Sequence, residues 1–130
     1  MPHRCVRDLV ERDALVSAAA DTSVRAAAKA MAEHVCGSIL VTERECLVGI
    51  FTTHDLLTRV MAAGLDPDTT SLGDVMTRDP DTLPADASTK VAARRLKALG
   101  HRCYLPVVEE DRIIGVLSTR HLLFSELPRA

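Results

Sequence analysis

The stretch Leu105-Pro106-Val107-Val108-Glu109-Glu110-Asp111-Arg112-Ile113-Ile114-Gly115-Val116-Leu117-Ser118 decides the fold. It reads as two strands, Tyr104–Val108 and Arg112–Ser118, joined by the charged turn Glu109-Glu110-Asp111. Sixty-six positions earlier stands a counterpart, with strands Ser38–Thr42 and Leu47–Thr52 joined by Glu43-Arg44-Glu45. At that shift Val41 falls on Val107, Glu43 on Glu109 and Gly49 on Gly115. The same shift puts Asp8 on Asp74, Arg12 on Arg78 and Asp13 on Asp79 upstream, and Thr53 on Thr119, Leu56 on Leu122 and Leu57 on Leu123 downstream. Between these blocks the match moves to 65, pairing Asp21 with Asp86, Ser23 with Ser88, Ala27 with Ala92, Ala28 with Ala93 and Met31 with Leu96. Order and spacing kept over so many blocks mark an internal duplication.

Each copy follows one grammar. A lead-in (Val6–Asp13; Leu72–Asp79) precedes a short extended piece (Leu15–Ser17; Asp81–Pro84). An amphipathic helix follows, over Ser23–His34 in the first copy, with Val24, Ala27, Ala28 and Met31 on one face. In the second copy Val91, Ala92, Arg95, Leu96 and Leu99 keep that spacing, with Arg95 its weak point. Asp21 and Asp86 stand at the expected N-caps. After the strand pair a second helix closes each copy, over Thr53–Ala63 and Thr119–Leu127. The fold class is therefore α+β, two β-α-β-β-α repeats at residues 5–64 and 72–127 with the connector 65–71, LDPDTTS, between them. One copy of roughly 60 residues is marginal alone. Two are expected to pack about a pseudo-twofold axis, forming one unit with two equivalent clefts.

Composition narrows the function. The 130 residues are 47% hydrophobic and 26% charged, the profile of a soluble globular chain. The aromatics are Phe51, Phe124 and Tyr104, so the core must be aliphatic and no base-stacking platform is present. A net charge of -2 gives no field to drive nucleic-acid or membrane binding, and the pair Arg94-Arg95 reads as a solvated helix face. Cys5, Cys36, Cys46 and Cys103 form no C-x-x-C, and no Cys/His spacing suits zinc. Cys36 and Cys103 border the cleft strands in both copies and read as small buried apolar residues rather than as a redox sensor. His3, His34, His54, His101 and His121 lie on different elements, so no metal site is expected. Without a signal-like or membrane-spanning apolar stretch, a cytoplasmic location is expected. No P-loop, G-x-G-x-x-G or nucleophile elbow occurs, so no enzyme is expected.

The tetrad Thr52-Thr53-His54-Asp55 carries the candidate chemistry. Gly49 permits close backbone packing as the strand approaches its helix. Thr52, at the helix start, can offer its hydroxyl and the free amides to a phosphate. Asp55 can accept both hydroxyls of a ribose. Thr52-x-x-Asp55 is equally a capping-box pattern. The two roles do not exclude each other.

Taken together, Asp-x-Ser before an Ala-Ala helix, then Leu105-Pro106-Val107-Val108, then Gly115-Val116-Leu117-Ser118 and Gly49-Ile50-Phe51-Thr52-Thr53-His54-Asp55-Leu56, resemble a tandem pair of CBS domains over about residues 6–127. Ala62-Ala63-Gly64-Leu65-Asp66-Pro67 resembles the connector of small actinobacterial CBS pairs of the hypoxic-response type. The resemblance implies a stand-alone regulatory module with no required cofactor. Its ligand would contain adenosine: AMP, ADP, ATP or S-adenosylmethionine. By the family's geometry, Thr52 and Asp55 face a cleft walled by Ile50, Thr82, Leu83, Tyr104, Leu105 and Pro106, with Arg78 and Arg102 as phosphate partners or plain surface charges. The second cleft would draw on Val16, Ser17, Ser38, Ile39, Leu40, Val116, Ser118, Arg120 and His121. There His121 replaces the acid of the motif, which puts ribose recognition in doubt. A homodimer is expected through the helix faces Leu56-Leu57-Val60-Met61 and Leu122-Leu123, with an unidentified effector protein as a further partner. The alternative is a dimerising scaffold that binds no ligand.

Overall fold

The computed structural model describes residues 5–10, 15–99, 104–119 and 121. In chain order the elements are α1 (Val6–Val10), β1 (Ser17–Ala18), α2 (Val24–Glu33), β2 (Ser38–Glu43), β3 (Cys46–Thr52), α3 (Thr53–Asp55) running into a π-helical stretch (Leu56–Met61), α4 (Leu72–Val75), β4 (Thr77–Arg78), β5 (Leu83–Pro84), α5 (Thr89–Leu99), β6 (Tyr104–Glu109) and β7 (Arg112–Ser118). The fold is α+β, as the sequence pattern requires. Of the closing helix expected at Thr119–Leu127, only Thr119 and His121 are described, both helical. His101, Arg102, Cys103, Arg120, Leu122 and Leu123 lie outside the described residues.

The duplication is written into the hairpin registers. Ser38 pairs with Thr52, Leu40 with Ile50 and Val41 with Gly49 in β2–β3. Tyr104 pairs with Ser118, Pro106 with Val116 and Val107 with Gly115 in β6–β7, every partner 66 positions on. Both ladders shift after that last rung, between Val41 and Thr42 and between Val107 and Val108. The turns are tighter than the three-residue loops read from sequence, because Glu43 pairs with Cys46 and Glu109 with Arg112 as the final rungs. Two residues remain in each loop, Arg44-Glu45 and Glu110-Asp111, all with positive φ between 50° and 66°. That is the hairpin turn whose twist matches the flanking strands. Non-glycine residues adopt it at a cost of roughly 1 kcal/mol each.

The chain divides into two compact units, Val16–Pro80 and the described residues up to Leu15 together with those from Asp81 onward. In the first, the sheet runs β1-β2-β3-β4. Its core joins Val24, Ala27 and Met31 of α2 to Ile39, Val41 and Phe51 of the hairpin and to Val60, Leu72, Val75 and Met76. In the second, the sheet runs β5-β6-β7. There Val6 and Val10 of α1 join Leu83, Ala85, Ala92, Leu96, Leu105, Val107 and Leu117. Both cores are aliphatic apart from Phe51, as the scarcity of aromatics demands.

Sequence copies and compact units are thus interleaved. The lead-in of the second copy, α4, serves the first unit, where Leu72 N–H donates to the Thr22 carbonyl (2.9 Å) and Gly73 N–H to the Ala20 carbonyl (2.8 Å). The lead-in of the first copy, α1, serves the second unit, where Val6 N–H donates to the Ala87 carbonyl (3.0 Å) and Arg7 N–H to the Ala85 carbonyl (3.1 Å). Each lead-in ends against a glycine of the last hairpin strand. A Cβ on Gly115 would stand 2.7 Å from the Cβ and Cγ2 of Val10. A Cβ on Gly49 would collide with the Met76 sulfur and stand 2.9 Å from the Thr77 carbonyl oxygen. Glycine is required here for lack of room. Arg7 further ties α1 to β6 through an ion pair with Glu109, and that hydrogen bond and charge raise Arg7 above its ordinary value.

Local details depart from the sequence reading. The N-cap of α2 is Ser23, which accepts from Ala26 N–H at 3.1 Å, and Ser88 accepts from Val91 N–H at 3.2 Å; Asp21 and Asp86 lie two residues too early. The connector docks on this helix start: Val24 N–H donates to Thr70 (2.9 Å), Arg25 N–H to Pro67 (3.0 Å), and the Arg25 side chain pairs with Asp68. After α2, Cys36 N–H reaches the Met31 carbonyl (2.9 Å) and Val35 N–H the Ala32 carbonyl (3.2 Å), a Schellman ending. Its left-handed position holds Val35, 88% exposed, where glycine is usual. Strand β4 was not foreseen; Gly49 pairs with Arg78 and Ile50 with Thr77.

Both glycines should resist alanine. Overpacking costs about 1–3 kcal/mol. Gly115→Ala should sit at the upper end, because the branched Val10 cannot move aside. Gly49→Ala should cost a comparable amount, because the Thr77 carbonyl oxygen at 2.9 Å is backbone and stays in the way even when the Met76 side chain swings. Urea unfolding midpoints of the two variants check this, and near-zero losses would contradict it.

Candidate functional site

The site grows from the end of β3. Thr52 is held by its rung with Ser38, and Thr53 N–H donates to the Gly37 carbonyl at 3.0 Å. Extended backbone at Thr52 then turns into helix, leaving amides without intrahelical partners. A complete capping box supplies partners for two N–H groups of this turn, those of Thr52 and Asp55. Asp55 N–H donates to Thr52 Oγ1 (3.1 Å), and Thr52 N–H donates to Asp55 Oδ2 (3.0 Å). The Thr52 hydroxyl donates to the same Oδ2 at 3.2 Å. The cap reading of this tetrad is therefore realised in the structure, and the Thr52 proton is directed at Asp55.

Asp55 is only 4% exposed. Its Oδ2 takes both Thr52 bonds, while Oδ1 lies 3.6 Å from Arg59 Nε, beyond hydrogen-bond reach. Among the described residues no fully buried side-chain polar atom lacks a partner. One carboxylate oxygen is fixed by the fold, and the other is oriented with acceptor capacity to spare. Arg59 was missed in the sequence reading. It stands four residues after Asp55, the spacing that pairs opposite charges on a helix. Its Nη1 also donates to the carbonyls of Val75 (3.2 Å) and Met76 (3.0 Å), tying the π-helical stretch to the end of α4.

The corresponding turn of the second copy is built differently. Ser118 N–H donates to His121 Nδ1 at 3.0 Å, and Ser118 Oγ lies 3.0 Å from the same nitrogen. Imidazole occupies the place of the carboxylate.

The remaining sequence-derived candidates fall as follows. Ile50, Thr52, Asp55 and Arg78 belong to the Val16–Pro80 unit, and so do Val16, Ser17, Ser38, Ile39 and Leu40. Thr82, Leu83, Tyr104, Leu105, Pro106, Val116, Ser118 and His121 belong to the other. Arg78 is exposed and donates to the Gly73 carbonyl at 2.9 Å. Among the described residues no cluster of three or more His, Cys, Asp or Glu could hold a metal ion, and no helix is long and apolar enough to cross a membrane.

The family model of the CBS domain matches residues 6–62 and again 72–127. The chain belongs to the CBS-domain family. CBS-pair proteins are regulatory modules that typically bind adenosine-containing ligands. The meiotically up-regulated gene 70 protein of Schizosaccharomyces pombe is 42% identical to this CBS pair over 102 residues, 78% of this chain and 14% of that protein. Against it and two Arabidopsis thaliana CBS-domain proteins, the chain spans 14%, 20% and 19% of the relatives' length. Among solved structures, an uncharacterized conserved protein of Pyrococcus horikoshii is 25% identical with a TM-score of 0.86, covering 100% of this chain and 98% of that one. Hypoxic response protein I, solved with two coordinated zinc ions, is 25% identical with a TM-score of 0.76 over 96% of this chain and 100% of that one.

The Thr52 cap contributes stability that can be measured apart from any ligand. Thr52→Ala should lower the unfolding free energy by about 1 kcal/mol, and Thr52→Ser should nearly restore it. Chemical denaturation of the two variants reads the difference.

Proposed function

We propose that this CBS pair is a regulatory, non-catalytic module of the cytoplasm that binds an adenosine-containing nucleotide through the Thr52–Asp55 motif. The observation that carries the reading is the buried Asp55 carboxylate, with Oδ2 locked by Thr52 and Oδ1 left to accept. A vicinal diol needs an anionic acceptor already in place, and the capping box supplies one without reorganisation. Backbone amides at the start of α3 lie beside it. Arg78, and Arg102 in the sequence, offer charge for phosphate. The nucleotide-binding habit of CBS pairs supports the same assignment. His121 in place of the acid makes the second motif a poorer diol site. No step requires a cofactor or a metal.

A second reading, a scaffold that associates with its own copies, is favoured by Leu57 and Met61. They are 62% and 59% exposed and four residues apart on the π-helical stretch. The two readings are compatible, and only the first needs a ligand.

Thermal unfolding with AMP, ADP, ATP and S-adenosylmethionine tests the proposal. A ligand at about 100 times its Kd stabilises the folded state by about 2.7 kcal/mol, a shift of several degrees. Asp55→Asn keeps an acceptor for Thr52 N–H but removes the charge, and should abolish the ligand shift while the apo protein stays folded. If none of these compounds moves the wild-type midpoint, the nucleotide assignment fails and the scaffold remains.

A further inference from the structure

One guanidinium reaches both the Thr52–Asp55 turn and the lead-in of the second copy. Arg59 Nε lies 3.6 Å from Asp55 Oδ1. Its Nη1 donates to the Val75 carbonyl (3.2 Å) and the Met76 carbonyl (3.0 Å). Both carbonyls stand at the end of α4, where a helix has no internal donors left for them, and both residues are buried. The Met76 side chain is the group packed against Gly49, and β4 follows it, with Thr77 and Arg78 paired to Ile50 and Gly49. These residues close the Val16–Pro80 unit before the chain enters the other one. Sixty-six positions after Arg59 the sequence has Ser125, which offers no such cation at the matching place.

An arginine head group is a rigid plane whose N–H donors point in fixed directions. Nε and Nη1 direct their hydrogens along different edges of that plane, so the carboxylate and the two carbonyls do not compete for one proton. Holding the plane at one edge orients it at the other. We propose that Arg59 is a positioning residue that couples the Asp55 carboxylate to the α4–β4 lead-in, so that a change of charge or partner at Asp55 is felt where Met76 passes Gly49.

The coupling is positive. With the carboxylate charged and in place, the guanidinium is turned toward α4 and its two bonds to the carbonyls form together. With that charge removed, or with Oδ1 drawn to another donor, the plane loses an anchor and the bonds to Val75 and Met76 weaken. Helix α4 has four residues and cannot hold itself, so a weakened end there loosens β4 as well. The regulatory consequence rests on the reading of the Thr52–Asp55 turn as a nucleotide motif: Arg59 would pass its occupancy to the lead-in of the second copy. The bridge itself does not depend on that reading.

Amide hydrogen exchange on the intact chain at constant pH tests the coupling without any ligand, so its result stands apart from that of thermal unfolding with nucleotides. The reporters are Met76 N–H, which donates to the Leu72 carbonyl (2.8 Å), and Asp79 N–H, which donates to the Val48 carbonyl (3.2 Å). Asp55→Asn keeps an acceptor for Thr52 N–H and removes the charge beside Arg59. It should lower protection at both reporters about twofold or more, the weight of one i,i+4 charge pair. With Arg59→Gln in the background, the same Asp55→Asn change should leave both reporters where they are. Arg59→Lys, which keeps the charge and loses the planar fork, carries the same expectation and replaces the glutamine variant if that one does not fold. Reporters unmoved by Asp55→Asn alone, or lowered equally in both backgrounds, would overturn the proposal.

Discussion

Everything in this fold depends on the place where each lead-in runs out against the last strand of a hairpin. The contact has no slack: the backbone of Gly115 accepts Val10, and that of Gly49 accepts Met76, at distances that exclude even a methyl group. Val10 and Met76 are themselves 66 positions apart, so the duplicated sequence makes the same closure twice. Each closure buries the end of a short helix that could not persist alone. Helices of five and four residues have too few internal hydrogen bonds to outweigh their nucleation cost, and tertiary packing must hold them. The connector is part of this device, since its carbonyls and Asp68 satisfy the start of α2 before α4 begins.

The strands, turns and helices were legible because they follow short-range rules. Alternating apolar residues, the charged turn and the glycine at the fourth position of the second strand recur at a fixed shift, and the ladders keep that shift rung by rung. Less legible were features set by distance in the chain. Nothing local in Val6–Val10 says which hairpin it serves. Strand β4 is two residues long and exists only because Met76 must pass Gly49. Asp21 and Asp86 looked like caps because aspartate caps well in general, but each helix starts two residues later at a serine with the better geometry. The π-helical stretch has no compositional signature. Arg59 could have been found from its spacing to Asp55.

The candidate site shows the same division. Thr52-x-x-Asp55 reads in sequence as both a cap and a ligand motif, and the structure shows the cap. Folding uses Oδ2, while Oδ1 lies 3.6 Å from Arg59 Nε. The counterpart turn keeps the cap and changes its chemistry, so duplication has preserved architecture while allowing the two motifs to diverge.

Nuclear Overhauser contacts from the Val10 methyls and the Met76 side chain test the interleaved closure most directly. The account expects Val10 to show contacts to the Gly115 α-protons and Met76 to those of Gly49. Contacts from Val10 to Gly49 and from Met76 to Gly115, each lead-in folding onto its own copy, would contradict it.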